Sequence, residues 1–202
     1  MTDLASRWPL GADLAEVRDA LLAAYATGRG YHDSRHLAEV LDRVDELAAG
    51  GEEFDRPAVE LAAWFHDGVY DGRDGAEERS AQWALDALAG LPFAEEVARL
   101  VRLTERHAPP GDDANGCALS DADLAILAAT PERYAEYTAD VRREYAHVPD
   151  DLFRAGRAAV LGDLLAKPTL FHTAHARLEW EARARANVEA ELMEIDGFEA
   201  RA

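Results

Sequence analysis

The sequence predicts an all-α fold. Three observations carry that expectation. Alanine, leucine, glutamate and arginine fill most segments, and apolar residues return at helical spacing. No stretch alternates apolar and polar residues cleanly over four or more positions with β-branched enrichment, so no sheet is expected. Glycines and prolines fall between the periodic segments, where helices start and stop.

The elements follow in order. A first helix is expected over about Ala12 to Ala26, ending near Gly28 and Gly30. A second starts after Asp33 or Ser34, either of which can cap it, and runs to Ala49 before Gly50-Gly51. A third begins near Pro57, a favourable first-turn residue, and ends around Asp67 to Tyr70. Asp71 to Gly75 reads as a loop, then a fourth helix covers about Glu77 to Leu88. Pro92 opens a fifth that reaches His107, and Pro109-Pro110-Gly111 begins a loop expected to last to Leu119. Ser120 reads as the cap of a short sixth helix over Asp121 to Ala128. Thr130-Pro131 restarts a helix to Tyr145, Pro149-Asp150 opens another to Ala166, and a last long one covers Ala174 to Met193. The whole chain, 1–202, is expected to form one domain, and no internal repeat or low-complexity tract interrupts it.

Composition narrows the function classes. Apolar residues make up 49% of the 202 positions, enough for a substantial core. No apolar run approaches the roughly 20 residues that span a bilayer, and Met1 to Leu10 carries no basic, apolar leader pattern, so a cytoplasmic location is expected. The single Cys117 cannot form an internal disulfide, in keeping with a reducing setting. With 40 acidic against 21 basic residues the net charge is −19, which repels duplex nucleic acid and anionic membranes at long range. A small phosphorylated substrate remains compatible, because a bound divalent cation reverses the local sign. The oligomeric state is not legible.

The chemistry-bearing residues cluster in three segments. The third helix reads Leu61-Ala-Ala-Trp-Phe-His66-Asp67-Gly-Val-Tyr70. Two ionisable groups beside Trp64, Phe65 and Val69 are costly to bury unless they pair or hold a metal; the plain alternative is a His at a helix C-terminus and a loop Asp. In Tyr31-His32-Asp33-Ser34-Arg35-His36, His32 and His36 share a helix face if the helix starts early enough. Histidine is disfavoured by the dipole at a helix start, so two of them there invite another explanation. In Ser120-Asp121-Ala122-Asp123-Leu124, both aspartates read as first-turn acids after a Ser cap. Asp123 differs in directly preceding the apolar run.

Together these segments resemble the HD-domain superfamily of metal-dependent phosphohydrolases, whose signature is a His, then a His-Asp pair, then a much later Asp. The match falls on His36, His66-Asp67 and Asp123, at separations of 66 − 36 = 30 and 123 − 67 = 56. A group of bacterial predicted metal-dependent phosphohydrolases within that superfamily is similar at Tyr31 to His36, Ala63 to Tyr70, Glu77 to Ala81, Thr104 to His107, Ser120 to Leu127, Arg142 to Tyr145, Phe153 to Leu161 and Glu179 to Leu192. The chain departs from it at Ala76-Glu77, where Asn-Glu is expected. The resemblance implies an HD-type helical bundle with its metal-binding core over about 28–130 and a helical extension over about 131–202.

It further implies a divalent ion held by His36, His66, Asp67 and Asp123, with Asp121 the alternative to Asp123. Two imidazoles and two carboxylates suit Mn²⁺, Fe²⁺, Co²⁺, Ni²⁺ or Zn²⁺, and Mg²⁺ less well. The reaction expected is hydrolysis of a phosphomonoester or phosphodiester, on a nucleotide or another small phosphorylated substrate, by a metal-activated water. His32 is the first candidate acid or base, by analogy with cyclic-nucleotide phosphodiesterases, and Glu77 the second. His107 is expected to contact phosphate or help hold a second ion, and Arg142, Arg157 and Lys167 are further phosphate contacts to weigh against plain salt bridges. Two other readings stand: a diiron oxygenase, which the single His107 between positions 67 and 123 under-supplies, and a non-catalytic, metal-stabilised binding module.

Overall fold

In a computed structural model, residues 3–199 are described, and every regular element among them is helical. After a 3₁₀ turn at Leu4–Arg7 come α1 (Ala15–Tyr25), α2 (Ser34–Ala49), α3 (Arg56–Phe65), α4 (Ala76–Ala87), α5 (Ala94–Leu103) and α6 (Ala114–Leu124). A second 3₁₀ turn, Ala125–Ala128, leads to α7 (Pro131–Glu144), α8 (Asp150–Ala166), α9 (Ala174–Glu179) and α10 (Glu181–Glu199). None of these helices is long and apolar enough to cross a membrane.

The core is built around α3. Ala58, Val59 and every residue from Leu61 to Phe65 are buried, so the helix is apolar on nearly all sides. Such a helix must be surrounded, and α2, α4, α5 and α6 pack against it. Trp64 meets Trp8 edge-to-face at 5.2 Å between ring centres, sealing the bundle from the N-terminal side. Truncating Trp64 or Phe65 to Ala would leave a cavity costing about 3–5 kcal/mol. The chain leaves α3 at His66, so the His-Asp pair emerges where the apolar packing ends.

Capping fixes where the helices begin. Asp33 accepts from the backbone N–H of Arg35 and His36, Asp55 from Ala58, Asp113 from Gly116 and Thr130 from Arg133, each satisfying an orphan first-turn donor. Gly30 permits a close approach: a Cβ there would lie 2.5 Å from the Asp140 carbonyl oxygen and 2.8 Å from the Glu144 nitrogen. Its bare backbone therefore lets the segment before α2 lie directly on the last turns of α7.

Three boundary expectations are corrected. The loop after Pro109 ends at Asp113, because Asp113 caps α6 and is itself gripped through both oxygens by Arg99. Asn115-Gly116, a turn signal in isolation, is helical because Asn115 donates to Glu96 and accepts from the Asp55 N–H. Ser120 is consequently no cap, and it lies fully buried with Asp121 inside α6. The last long helix is interrupted at Trp180, whose ring is drawn inward to donate to Glu46 and pack on Phe171. The third helix ends at Phe65, earlier than expected.

Candidate metal centre

Four elements deliver the site. His36 stands in the first turn of α2, placed there by the Asp33 cap. His66 ends α3 and Asp67 follows it. Asp123 lies in the last turn of α6, and His107 sits just past α5 in the left-handed region at φ 47°. A non-glycine residue there carries local strain.

The distances converge on one point. His36 Nε2 and His66 Nε2 are 3.1 Å apart. Asp67 Oδ2 lies 3.4 Å from the first and 3.1 Å from the second. Asp123 Oδ1 lies 3.1 Å and 3.5 Å from the same two nitrogens. Ligands at about 2.1 Å from an ion are spaced about 3.0 Å at a right angle and about 3.4 Å at a tetrahedral one, so these gaps match donors sharing a divalent cation. His36, His66 and Asp67 form a group that could hold a metal ion, and Asp123 touches both imidazoles of that group.

Two further features fit an ion. His66 Nδ1 lies 2.8 Å from the Ala63 carbonyl, an acceptor only, so Nδ1 carries the proton and Nε2 turns its lone pair to the centre. Asp67 Oδ2 is buried and has no hydrogen-bond partner, a costly state for a carboxylate oxygen that a cation would relieve.

Electrostatics point the same way. Burial disfavours the charged His36 ring, but the Asp123 and Asp67 carboxylates facing it outweigh that and raise its pKa to about 9. Burial likewise opposes charge on His66, yet the Asp67 charge and its neighbours hold its pKa well above the ordinary value. Burial would raise Asp67 and Asp123, but the facing histidines bring both well below the carboxylate range. Two carboxylates thus face two imidazoles, and a divalent cation would balance the two negative charges.

His107 reaches the other oxygen of Asp123, with Nε2 3.4 Å from Oδ2, and its Nδ1 is 3.2 Å from the Ser120 hydroxyl. Burial lowers its pKa, the Asp123 charge opposes that, and the positive charges of His66 and Lys167 reinforce it.

His32 lies outside α2, not on a shared face with His36, because the helix starts only at Ser34. Its ring nevertheless stands 5.5 Å from that of His36 and stacks on Tyr70 at 4.1 Å. Glu144, at the end of α7, fixes it. One Glu144 oxygen accepts the backbone N–H groups of Gly30, Tyr31 and His32 at 2.9, 3.0 and 3.2 Å, and the other meets His32 Nδ1 at 2.6 Å. Burial raises the Glu144 carboxyl, but these bonds outweigh it and bring it to about 2. Arg29 completes the scaffold by donating to the carbonyl oxygens of His32, Asp67 and Gly68. Sequence reasoning assigned no role to Glu144 or Arg29, although Glu144 lies in the Arg142 to Tyr145 segment that carries the resemblance, 112 positions from His32.

Glu77 is half-buried in the first turn of α4 and makes no hydrogen bond or ion pair with the cluster. Arg142 is engaged by Asp150 and by the carbonyl oxygens of Tyr145 and Val148, tying α7 to α8. Arg157 is held by both oxygens of Glu191 and by the Tyr137 hydroxyl. Both arginines therefore serve as salt-bridge partners here, the plainer of the two expectations. Asp121 points away from the centre: it accepts from the backbone N–H of His172 and Thr173 and from the His172 ring, anchoring the segment before α9. Residues two apart on a helix differ by about 200°, which separates Asp121 from Asp123. No family model, curated protein or solved structure matches the chain.

Proposed function

We propose that the chain is a metal-dependent phosphohydrolase of the HD-domain type, with a metal-binding bundle over about 28–130 and a helical extension after it. The observation that carries this reading is the pair of His36 and His66 Nε2 atoms 3.1 Å apart, with oxygens of Asp67 and of Asp123 each 3.1 to 3.5 Å from them and the buried Asp67 Oδ2 making no hydrogen bond. A divalent ion there would supply Lewis acidity and lower the pKa of water. The His-rich donor set favours Mn²⁺, Fe²⁺, Co²⁺, Ni²⁺ or Zn²⁺ over Mg²⁺.

The chain's own groups do the rest. His66 is oriented by Ala63, and Asp67 is steadied through its carbonyl by Arg29. His32 is clamped at Nδ1 by Glu144, while its Nε2 makes no hydrogen bond among the described residues. That nitrogen is the group placed to hand a proton to a departing alcohol oxygen. His107 flanks Asp123 as a contact for phosphate oxygens, and its place on the second Asp123 oxygen is also where a second ion would find a ligand.

The test is turnover of a panel of phosphomonoesters and phosphodiesters with Mn²⁺, Co²⁺ or Ni²⁺ present. Metal-dependent phosphate or alcohol release, abolished in His66→Ala, is the expected result. No turnover across the panel with metal bound would refute the enzymatic reading.

A further inference from the structure

We propose that Arg133 and Tyr31 form an anion subsite beside the metal centre, taking phosphoryl or carboxylate oxygens of the substrate; this rests on the phosphohydrolase reading of the centre. A hollow of about 310 Å³ lies between α2 and the 3₁₀ turn that follows α6. His36 and Asp123 stand in its wall together with Tyr31, Glu39 and Arg133. A ligand in this hollow therefore lies against two of the expected metal ligands.

The hollow also carries unpaired donors. Among the described residues five buried side-chain atoms make no hydrogen bond, and two of them, the Tyr31 hydroxyl and Arg133 Nη1, belong to walls of this hollow. A buried donor without an acceptor is costly, and two beside one hollow point to an acceptor that a ligand brings. The two are not bonded to each other. Arg133 Nε and Nη2 are both spent on Glu39, at 2.7 and 2.8 Å, which fixes the planar guanidinium and leaves its third nitrogen free of protein partners. The Arg133 Cζ lies 5.9 Å from the centre of the Tyr31 ring, and that ring lies 4.8 Å from the His36 ring. Metal ligand, hydroxyl and guanidinium thus follow one another along one wall.

Charge decides the class of ligand. Burial pushes the Tyr31 hydroxyl well up, its neighbours Tyr137, Asp123 and Glu39 reinforce that, and Arg133 opposes it, so the group stays protonated and can donate. Burial opposes the charge on Arg133, but the Glu39 contacts outweigh it and the guanidinium stays positive. Glu39 spends both oxygens on Arg133 and shares one with Arg35. The other charged walls are paired elsewhere, Asp42 with Arg7 and Arg43 with Glu46. A cationic donor and a hydroxyl donor together suit an anionic oxygen, and a guanidinium held in a fixed plane suits phosphate or carboxylate best.

The test follows by calorimetry the binding of methylphosphonate and of phosphonoacetate to the full chain loaded with Mn²⁺. Neither probe has an ester bond to hydrolyse. Arg133→Gln should weaken at least one of them about ten- to a hundredfold, the usual worth of a hydrogen bond to a charged group. Equal weakening of both puts the phosphoryl head at Arg133, and weakening of phosphonoacetate alone puts a second anionic group there. Tyr31→Phe keeps the ring beside His36 and removes the hydroxyl. It should weaken the same probe about three- to tenfold while thermal stability holds or rises, because an unpaired buried hydroxyl is lost. Glu39→Gln removes the same ion pair as Arg133→Gln but leaves the guanidinium, and should bind at least as tightly as the unmodified chain. Unchanged binding in Arg133→Gln or in Tyr31→Phe, an equal loss in Glu39→Gln, or no binding of either probe overturns the proposal. The phosphohydrolase reading fails separately, when phosphate esters are not turned over although binding that depends on Arg133 persists.

Discussion

Replacing Glu144 with Gln tests how the C-terminal end of α7 organises the centre. Glu144 accepts three backbone N–H groups and one imidazole nitrogen while only 9% of its side chain is exposed. Folding moves its carboxyl from 4.5 to about 2. A depressed carboxylate stabilises the fold above the unfolded value near 4.5, and that stability is lost as the pH falls toward 2. At about 1.4 kcal/mol per tenfold change in proton affinity, the contribution is about 3 kcal/mol at pH 7 and about 1 kcal/mol at pH 3. Gln keeps the shape and removes the charge. Urea unfolding of both chains between pH 7 and pH 3 should therefore show Glu144→Gln destabilised by about 3 kcal/mol at neutral pH, with the gap closing as the solution is acidified. A gap under about 1 kcal/mol at pH 7, or one that does not change with pH, would refute the reasoning.

Other perturbations separate scaffold from centre. Asp121→Ala should cost about 2–4 kcal/mol by orphaning the His172 and Thr173 donors while metal content, read by elemental analysis, stays near that of the unmodified chain. Arg157→Ala should lower stability by about 2 kcal/mol through the broken Glu191 and Tyr137 contacts and leave metal content unchanged. Gly30→Ala should destabilise by about 1–3 kcal/mol in thermal unfolding, because its Cβ has no room against Asp140 and Glu144.

The segments carrying His36, His66 and Asp67 were legible as helix ends, because such ends are written in local residues, and the structure brings these three into a group that could hold a metal ion. Asp123, preferred for its place against the apolar run, lies beside both imidazoles, and the dipole role expected for Asp121 gives way to a buried anchor. Other features were not legible. Glu144 and Arg29 act across long stretches of chain through backbone atoms, which leave no side-chain pattern to read. The start of α6 was hidden because Asn115-Gly116 reads as a turn until Glu96 and the Asp55 backbone hold the Asn. Trp180 breaks the last helix for a tertiary reason, its bond to Glu46. Arg142 and Arg157 could be judged only by their partners, which lie in neighbouring helices.

Metal analysis of the purified full chain and of four single variants tests the central claim most directly. Folding of each variant is checked by near-ultraviolet circular dichroism. The account predicts a divalent ion bound by the unmodified chain and lost from folded His36→Ala, His66→Ala, Asp67→Ala and Asp123→Ala. A folded His36→Ala or Asp67→Ala that retains full metal would contradict it.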